Sequence, residues 1–573
     1  MKDSIIRSFD IWTTAQSIKS KGRLKSIENI SLEGIVSLRE LILELAVRGK
    51  LVPQDPYDEP ASILLNNINK IKEKLTKEDR LKTFAKNGIS SEEEYIGKPL
   101  GWEYCKLGNI SKFIDYRGKT PEKTESGIRL ITAKNVRFGY ISFEPEEFIS
   151  EDDYEKWMTR GFPRENDILF TTEAPLGNAA VIDIKEKFAL AQRVICFQLH
   201  DPRISSFLRI AILSNSFQCL IIEKATGMTA SGIKSAKLKE IPVPLPPLAE
   251  QYRIIAKVDE LMAICDKLEE QQTSNLKTHQ LLVKTLLETL TQAVDVTELQ
   301  VTIERISIHF GTLFCTEDSI DQLKQTILQL AVMGKLVKQD ARDEPASELL
   351  KRIDKEKDSS VTPKKRDREK QNYSENISFF EIPGWAWCKL EDIGYTNIGL
   401  TYSPNDLSNN GTIVLRSSNI QNGEIELTDI VRVEKNMNEN VLTKQGDLLI
   451  CARNGSKKLV GKCALIRNLP EPMAFGAFMA IFRSAFNEYI RIFIESPIYR
   501  KNLEGVTTTT INQITQDNLK NTYIPLPPRA EQQRIVAKVE ELFNICDALK
   551  AKIMKAGEIK VQMAEAVVES ATA

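Results

Sequence analysis

A long-period duplication constrains this chain more than any other feature of its sequence. The segment Ala46–Ser62 returns as Ala331–Ser347 with 13 of 17 positions identical. Further on, Pro244–Asp266 returns as Pro525–Asp547 with 17 of 23 positions identical. The offset of 281 to 285 residues is far longer than the roughly 20–50 residues of a solenoid repeat. The sequence therefore predicts a duplicated set of domains.

The duplicated blocks enclose two segments that are not alike. A third pair of blocks, Pro99–Leu107 and Ile382–Leu390, shares a Gly-Trp pair and a Cys-Lys-Leu ending and occurs at the same place in each half. After these blocks, Lys112–Lys239 has little in common with Asn397–Lys520. A constant frame that carries two different inserts indicates one scaffold with two different recognition domains.

The repeated blocks predict helices. Leu38, Leu41, Ile42 and Leu45 form an apolar stripe at helical spacing. After each insert, Pro-Pro-x-Ala-Glu-Gln opens a helix with apolar positions spaced 4, 3, 4, 3. These positions are Ile254, Val258, Leu261, Cys265 and Leu268, with Ile535, Val539, Leu542, Cys546, Leu549 and Ile553 in the second copy. We expect the two helices to pair as an antiparallel coiled coil; the alternative is that each packs on its own domain. The first seam is lost at Gln272, so its continuation stays open.

Short apolar runs between glycines and prolines predict mixed β structure in both inserts. The expected fold class is α+β: two mixed α/β domains separated by long antiparallel coiled-coil helices, with pseudo-twofold duplication. The expected boundaries are 1–96 for an N-terminal helical region, 97–245 for the first insert, 246–350 for a central helical spacer, 351–379 for a charged linker, 380–525 for the second insert and 526–573 for a C-terminal helix. A DNA-touching arm is the alternative for the charged stretch Lys355–Lys370.

Composition excludes several classes of protein. Nine cysteines without CxxC spacing and only three histidines argue against a zinc site or a disulfide framework. No apolar run reaches membrane-spanning length and the N-terminus lacks the apolar core of a signal peptide, so we expect a cytoplasmic protein. The net charge of −1 gives no overall sign of a nucleic-acid partner, although clustered basic residues still permit one.

The paired Pro-x-Gly-Trp openings and Pro-x-Pro-Pro-x-Ala-Glu-Gln closings around variable inserts resemble the specificity (S) subunits of type I restriction-modification systems. The resemblance covers nearly the whole chain. It implies that each insert is a target-recognition domain for one half of a split sequence in double-stranded DNA, and that the helices bind two methyltransferase (M) subunits. It also implies restriction (R) subunits as partners, with no cofactor in this chain and AdoMet, ATP and Mg²⁺ on the partners.

The chain departs from many members of that family by carrying about 95 residues before the first Gly-Trp pair. From the duplication, we expect the N-terminal helices to pair with the C-terminal ones and so to copy the central helical unit.

The motifs of a catalytic subunit are absent from the sequence. The amino-methyltransferase signature [DNS]-P-P-[YFW] does not occur. The nearest phosphate-binding loop, Gly227–Ser235, fails because Ile233 separates Gly232 from Lys234. We therefore expect no enzymatic activity in this chain. The competing hypotheses are a coiled-coil scaffold without DNA readout and a stand-alone nucleotide-binding enzyme.

Residues that could read DNA occur in four clusters of the inserts. Arginine suits guanine and Asn or Gln suits adenine, while Lys, Ser and Thr hold phosphates. The candidates are Arg117, Lys119, Thr120, Lys134, Asn135 and Arg137 in the first insert, and Arg416, Ser417, Ser418, Asn419, Gln421, Arg453, Asn454, Ser456, Lys457 and Lys458 in the second. Asn135 and Asn419 correspond in the duplication. The alternative for each residue is an exposed polar group on a loop.

Overall fold

The computed structural model describes residues 9–15, 17–18, 30–79, 89, 94, 97–116, 121–226, 232–293, 296–358, 382–468, 471–504 and 513–572. The chain divides into two compact units, Met1–Leu276 with Ala556–Ala573 and Lys277–Lys555. Each unit therefore contains one insert together with its flanking frame segments.

The first unit combines frame helices with the strands of the first insert. Its helices are α1 Phe9–Thr14, α2 Glu33–Val47, α3 Ala61–Asp79, α4 Leu107–Ile110, α5 Glu151–Trp157, α6 Ser205–Leu213, α7 Asn215–Lys224, α8 Ser235–Lys239 and the start of α9 Leu248–Gln292. Its strands are β1 Ser17–Ile18, β2 Ile30–Ser31, β3 Glu103–Lys106, β4 Ser111–Asp115, β5 Ile128–Ile131, β6 Phe148–Ile149, β7 Ile168–Thr172, β8 Leu176–Val181, β9 Phe188–Leu190, β10 Val194–Leu199 and β11 Pro242–Leu245.

The second unit has the same kind of composition. Its helices are α10 Val296–Ile308, α11 Phe310–Leu313, α12 Glu317–Val332, α13 Ala346–Asp358, α14 Leu390–Ile393, α15 Asn487–Glu495, α16 Pro497–Glu504, α17 Gln516–Lys520 and the start of α18 Arg529–Thr572. Its strands are β12 Ala386–Lys389, β13 Tyr395–Ile398, β14 Leu407–Leu415, β15 Ile420–Gln421, β16 Glu424–Ile425, β17 Arg432–Val433, β18 Leu448–Cys451, β19 Cys463–Leu465, β20 Met473–Phe475, β21 Met479–Arg483 and β22 Tyr523–Leu526.

The two inserts share one topology although their sequences differ. In the first, an antiparallel sheet has the order β4-β10-β7-β8, and a second sheet has the order β6-β5-β9 with β5 and β9 parallel. In the second, the corresponding orders are β13-β21-β18-β19 and β17-β14-β20, with β14 and β20 parallel. All five residues of β7 and all four of β18 are buried. A strand that is buried on both faces consists largely of apolar residues. This explains why both inserts have an apolar run at this strand although their sequences differ.

Each insert is closed at its base by a strand pair that joins its two ends. In the first insert β3 pairs with β11, and in the second β12 pairs with β22, both antiparallel. Beside each pair a tryptophan Nε1–H donates to a glutamate at the start of the following long helix. Trp102 lies 3.0 Å from Glu250 and Trp385 lies 3.0 Å from Glu531. Burial raises the pKa of both carboxyl groups. The Gly-Trp and Ala-Glu-Gln motifs therefore contact each other in the same way in both halves of the chain.

The long helices are continuous. Helix α9 has 45 residues and passes through Gln272 without a break, and α18 has 44 residues. Residues 248–276 of α9 belong to the first unit and residues 277–292 to the second. Helix α18 follows the reverse pattern, with residues 556–572 in the first unit.

The ends of the long helices complete the two cores in matching ways. Val283, from the end of α9, is buried in the core of the second unit with residues of α12 and α18. At the equivalent position, Ala564 is buried in the core of the first unit with residues of α2 and α9. The N-terminal helices therefore pack with the C-terminal helix as the duplication predicts.

Two details of the frame differ from the structure expected from the sequence. Helix α13 runs through residue 351 to Asp358, so a linker that begins at 351 is wrong. Its amphipathic positions Leu349, Leu350 and Ile353 pack on the core of the second unit; residues 359–381, including most of Lys355–Lys370, lie outside the described residues. The N-terminal region contains the short antiparallel pair β1–β2 in addition to its helices.

Among the described residues no single helix has the length and apolar content needed to cross a bilayer, while one sharply bent pair, Pro202–Leu213 with Asn215–Lys224, meets those two criteria when its members are taken together.

Candidate nucleic-acid interface

The two matched asparagines are buried, which corrects the expectation that they read bases. Asn135 is 2% exposed and Asn419 is 1% exposed. The Asn135 amide donates to the carbonyls of Ser142 and Pro145, both at 3.0 Å, and its oxygen accepts from Thr132. Since both amide hydrogens are used by the backbone, this side chain has no donor left for an adenine.

Asn419 makes the same set of bonds in the second insert. Its amide donates to the carbonyls of Glu426 at 3.0 Å and Asp429 at 2.9 Å, and its oxygen accepts from the backbone of Arg416. Each asparagine therefore fixes the loop that follows a strand of the smaller sheet, β5 or β14. Its role is to position the exposed residues of that loop.

We expect Asn419→Ala to lower the free energy of unfolding of the second unit by about 1–3 kcal/mol, because it leaves buried backbone groups without partners. Thermal unfolding of the purified chain measures this loss. Asn135→Ala is the matched variant and should destabilise the first unit by a similar amount. Equal stability of Asn419→Ala and the parent chain would contradict the positioning role.

The loops that these asparagines hold expose basic and polar groups. In the first insert, Lys134 and Arg137 are exposed on either side of the buried Asn135. In the second, Ser418 and Gln421 are exposed, and the Gln421 amide donates to the Ser418 carbonyl at 2.9 Å. Arg416 is partly covered and forms an ion pair with Asp429 at 2.7 Å. Arg416 is therefore oriented by a carboxylate while the neighbouring residues face solvent.

The structure brings together the two candidate clusters of the second insert. The Asn454 amide donates to the hydroxyl of Ser417 at 3.3 Å and so links the loop after β18 to the loop after β14. The Ser456 backbone N–H donates to Asn454 at 3.0 Å. Arg453 and Lys457 are exposed on the same loop, and the side chain of Lys458 lies outside the described residues. The two clusters form one surface, which we call the second loop face.

A cation–aromatic contact completes the second loop face. The Arg453 guanidinium lies 5.4 Å from the centre of the Phe478 ring, and Phe478 is 61% exposed. Phe478 was not among the sequence candidates, because a single aromatic residue before a strand has no pattern of its own. Its large exposed apolar surface is the signal that the structure adds.

The first insert has a corresponding surface, the first loop face. The Asn178 amide donates to the Val136 carbonyl at 3.0 Å, and the Gly139 N–H donates to the Ala179 carbonyl at 3.0 Å. The loop after β5 therefore lies against β8, as in the second insert. This loop also exposes three aromatic side chains that sequence reasoning missed, Phe138, Tyr140 and Phe143. The candidates Arg117, Lys119 and Thr120 lie outside the described residues.

Arg193 is a further basic residue that sequence reasoning missed on the first loop face. It is exposed immediately before β10 and forms an ion pair with Glu173, at 3.7 Å between Nη2 and Oε1. Its backbone has φ of 72°, which is uncommon for a residue other than glycine. No local motif marks this arginine, since its place depends on strand pairing with β7.

The described residues contain no cluster of three or more His, Cys, Asp or Glu side chains that could hold a metal ion, and none of the nine cysteines is in a disulfide. Most of the rejected phosphate-binding loop, residues 227–231, lies outside the described residues.

The sequence matches the family model of the type I restriction modification DNA specificity domain over residues 99–278 and 383–556. The chain belongs to the type I restriction-modification specificity subunit family. It is 35% identical to the Type I restriction enzyme EcoAI specificity subunit of Escherichia coli, over 99% of each chain. It is 34% identical to the EcoEI specificity subunit of Escherichia coli, over 98% of each chain.

A solved chain from a study of complex assembly and conformational transition of the type I R-M system is 17% identical to this specificity subunit. The match covers 83% of this chain and 98% of that one, with a TM-score of 0.47. As a member of this family, the specificity subunit is a non-catalytic DNA-recognition subunit of a restriction-modification system.

Proposed function

We propose that this specificity subunit directs two methyltransferase subunits, and through them restriction subunits, to a target in double-stranded DNA that has two separate halves. Each insert contacts one half through its loop face, and the frame helices bind the methyltransferase subunits. AdoMet, ATP and Mg²⁺ are bound by the partner subunits, not by this chain. The complex works in the cytoplasm.

One observation carries the proposal. Two copies of one fold, on a repeated frame, expose different side chains at the same place. The first loop face exposes Lys134, Arg137 and three aromatic rings, whereas the second exposes Gln421, Arg453 and Phe478. Basic groups contact phosphates, and arginine, glutamine and apolar groups distinguish base edges. A scaffold without DNA readout has no need of two different faces.

The proposal is tested by separating recognition from catalysis. We expect the purified chain to be inert with DNA, AdoMet, ATP and Mg²⁺, because the motifs for methyl transfer and nucleotide hydrolysis are absent from its sequence. When it is co-purified with the methyltransferase subunit of its own system, adenine methylation should appear at one two-part sequence. Sequencing of methylated adenines in a host that expresses the pair identifies that sequence.

Two results would contradict the proposal. The first is stoichiometric activity of the chain that persists after contaminating partner subunits have been removed. The second is a complex that methylates DNA without sequence preference, as a scaffold without DNA readout would do.

A further inference from the structure

The backbone defines one position that is equivalent in the two inserts, independently of sequence. The Thr172 N–H donates to the Arg193 carbonyl at 2.9 Å, and the Ala452 N–H donates to the Phe478 carbonyl at 3.0 Å. The carbonyls of Thr172 and Ala452 in turn accept from the N–H of Ile233 and Ile514, at 3.1 and 2.8 Å.

Single β-bridges confirm the match of the next residue. Glu173 bridges to Gly232 and Arg453 bridges to Gln513. Residue 173 is therefore the counterpart of 453, and residue 193 the counterpart of 478.

The side chains at these two equivalent positions differ between the inserts. In the first insert the pair is Glu173 and Arg193, and in the second it is Arg453 and Phe478. Each pair contains one exposed arginine, but at different positions. Arg193 is the counterpart of Phe478, whereas Arg453 is the counterpart of Glu173. In both inserts the other member orients it, through a carboxylate in one case and a ring face in the other.

We propose that Arg193 and Arg453 are specificity-determining residues, each reading one guanine in the half of the target that its insert contacts. This inference rests on the proposed function. Guanine presents O6 and N7 as adjacent acceptors in the major groove, and the planar guanidinium matches them with two parallel donors.

The geometry leaves the donors of both arginines available for such a contact. Arg453 is exposed beside the Phe478 ring, and its guanidinium carbon lies 5.4 Å from the ring centre. On the first loop face the Arg193 side chain keeps 49% of its surface exposed beside Glu173. The positive φ of Arg193 is a strained conformation for a residue other than glycine, and such strain is concentrated at functional sites.

The test uses the specificity subunit in complex with the methyltransferase subunit of its own system. Methylated-adenine sequencing first gives the target, and binding is then measured with duplexes in which single guanines are replaced by 7-deazaguanine, which lacks the N7 acceptor. In the parent complex, one such replacement in each half should weaken binding about 5-fold to 100-fold.

The variants assign these guanines to the two arginines. In Arg453→Ala the sensitive guanine of the second half should become insensitive to 7-deazaguanine, with the first half unchanged. Arg193→Ala should give the reverse result, so each variant controls for the other. Retained recognition of the unaltered half shows that the protein is folded. Arg342→Ala, on an exposed frame arginine, should leave both halves unchanged.

Three outcomes would overturn the inference. A uniform loss of affinity for all sequences with a smaller salt dependence would identify phosphate contacts. Sensitivity to 7-deazaguanine that persists in the variants would place the reading elsewhere, as would a target without guanine in either half. All three leave a two-part target intact, whereas failure of the proposed function would give no defined target in the parent complex.

Discussion

Replacement of residues 97–245 by the corresponding insert of another type I specificity subunit is expected to change one half of the methylated sequence completely and to leave the other half as it was. The replaced segment carries the first loop face and most of its supporting core. The cluster around Leu130, Leu169 and Val194 is built entirely from residues of the first insert. The second loop face has its own cluster around Leu415, Leu449 and Ile481, which the exchange does not touch.

The junctions of the exchange lie where the fold tolerates them. Strands β3 and β11 join the two ends of the insert to each other, so a donor insert brings both members of this pair. The frame contacts outside the insert remain, such as the ion pair of Arg39 with Asp266 at 2.7 Å. One sensitive point is α2, because its Glu44 accepts from the backbone N–H and from the hydroxyl of Ser216, which is inside the insert. A donor with serine at that position preserves the contact.

Methylated-adenine sequencing of hosts that carry the parent and the exchanged subunit measures the outcome. Exchange of residues 380–525 is the matched experiment and should alter only the other half. A change in both halves, or in neither, would show that the two inserts do not read separate half-sites.

Much of the fold was predictable from the sequence because the duplication itself carries information. Gly49 and Gly334 hold the same place in the duplicated blocks, where a glycine followed by lysine is typical of a helix end, and both have positive φ at the ends of α2 and α12. The continuity of α9 was not predictable. After Cys265 its residues are exposed or half-buried until Val283, so no apolar stripe marks this part of the helix.

The loop faces were only partly predictable. Three of the four clusters named from the sequence lie on the described loops, but the role of Asn135 and Asn419 depends on backbone carbonyls 7 to 10 residues away. A turn of that length has no residue pattern that distinguishes a buried asparagine from an exposed one. Arg193 and Phe478 are placed on the faces by backbone bonds to Thr172 and Ala452, next to the pairs β7–β10 and β18–β21. Pairing between distant segments is not encoded in a local sequence pattern.

Insertion of one heptad into each long helix is expected to lengthen the unread gap between the two halves of the target by about three base pairs. Seven residues add roughly 10 Å to a helix, and base pairs are stacked about 3.4 Å apart. We place the insertions after Leu268 and Leu549, which are equivalent in the duplication. No residue between Cys265 and Val283, or between Cys546 and Ala564, is buried, so each insertion falls in a stretch of helix that has no fully buried side chain.

Both helices must be lengthened together, because the chain passes between the two units once in α9 and once in α18. An insertion in α9 alone lengthens only one of these connections and should abolish activity. The paired insertion turns each helix by only about 20°, whereas three base pairs turn the DNA by roughly 100°. We therefore expect the same bases in each half, a longer gap and weaker binding. Methylated-adenine sequencing of a host with the paired insertion decides the matter, since an active complex with an unchanged gap would show that helix length does not set the spacing.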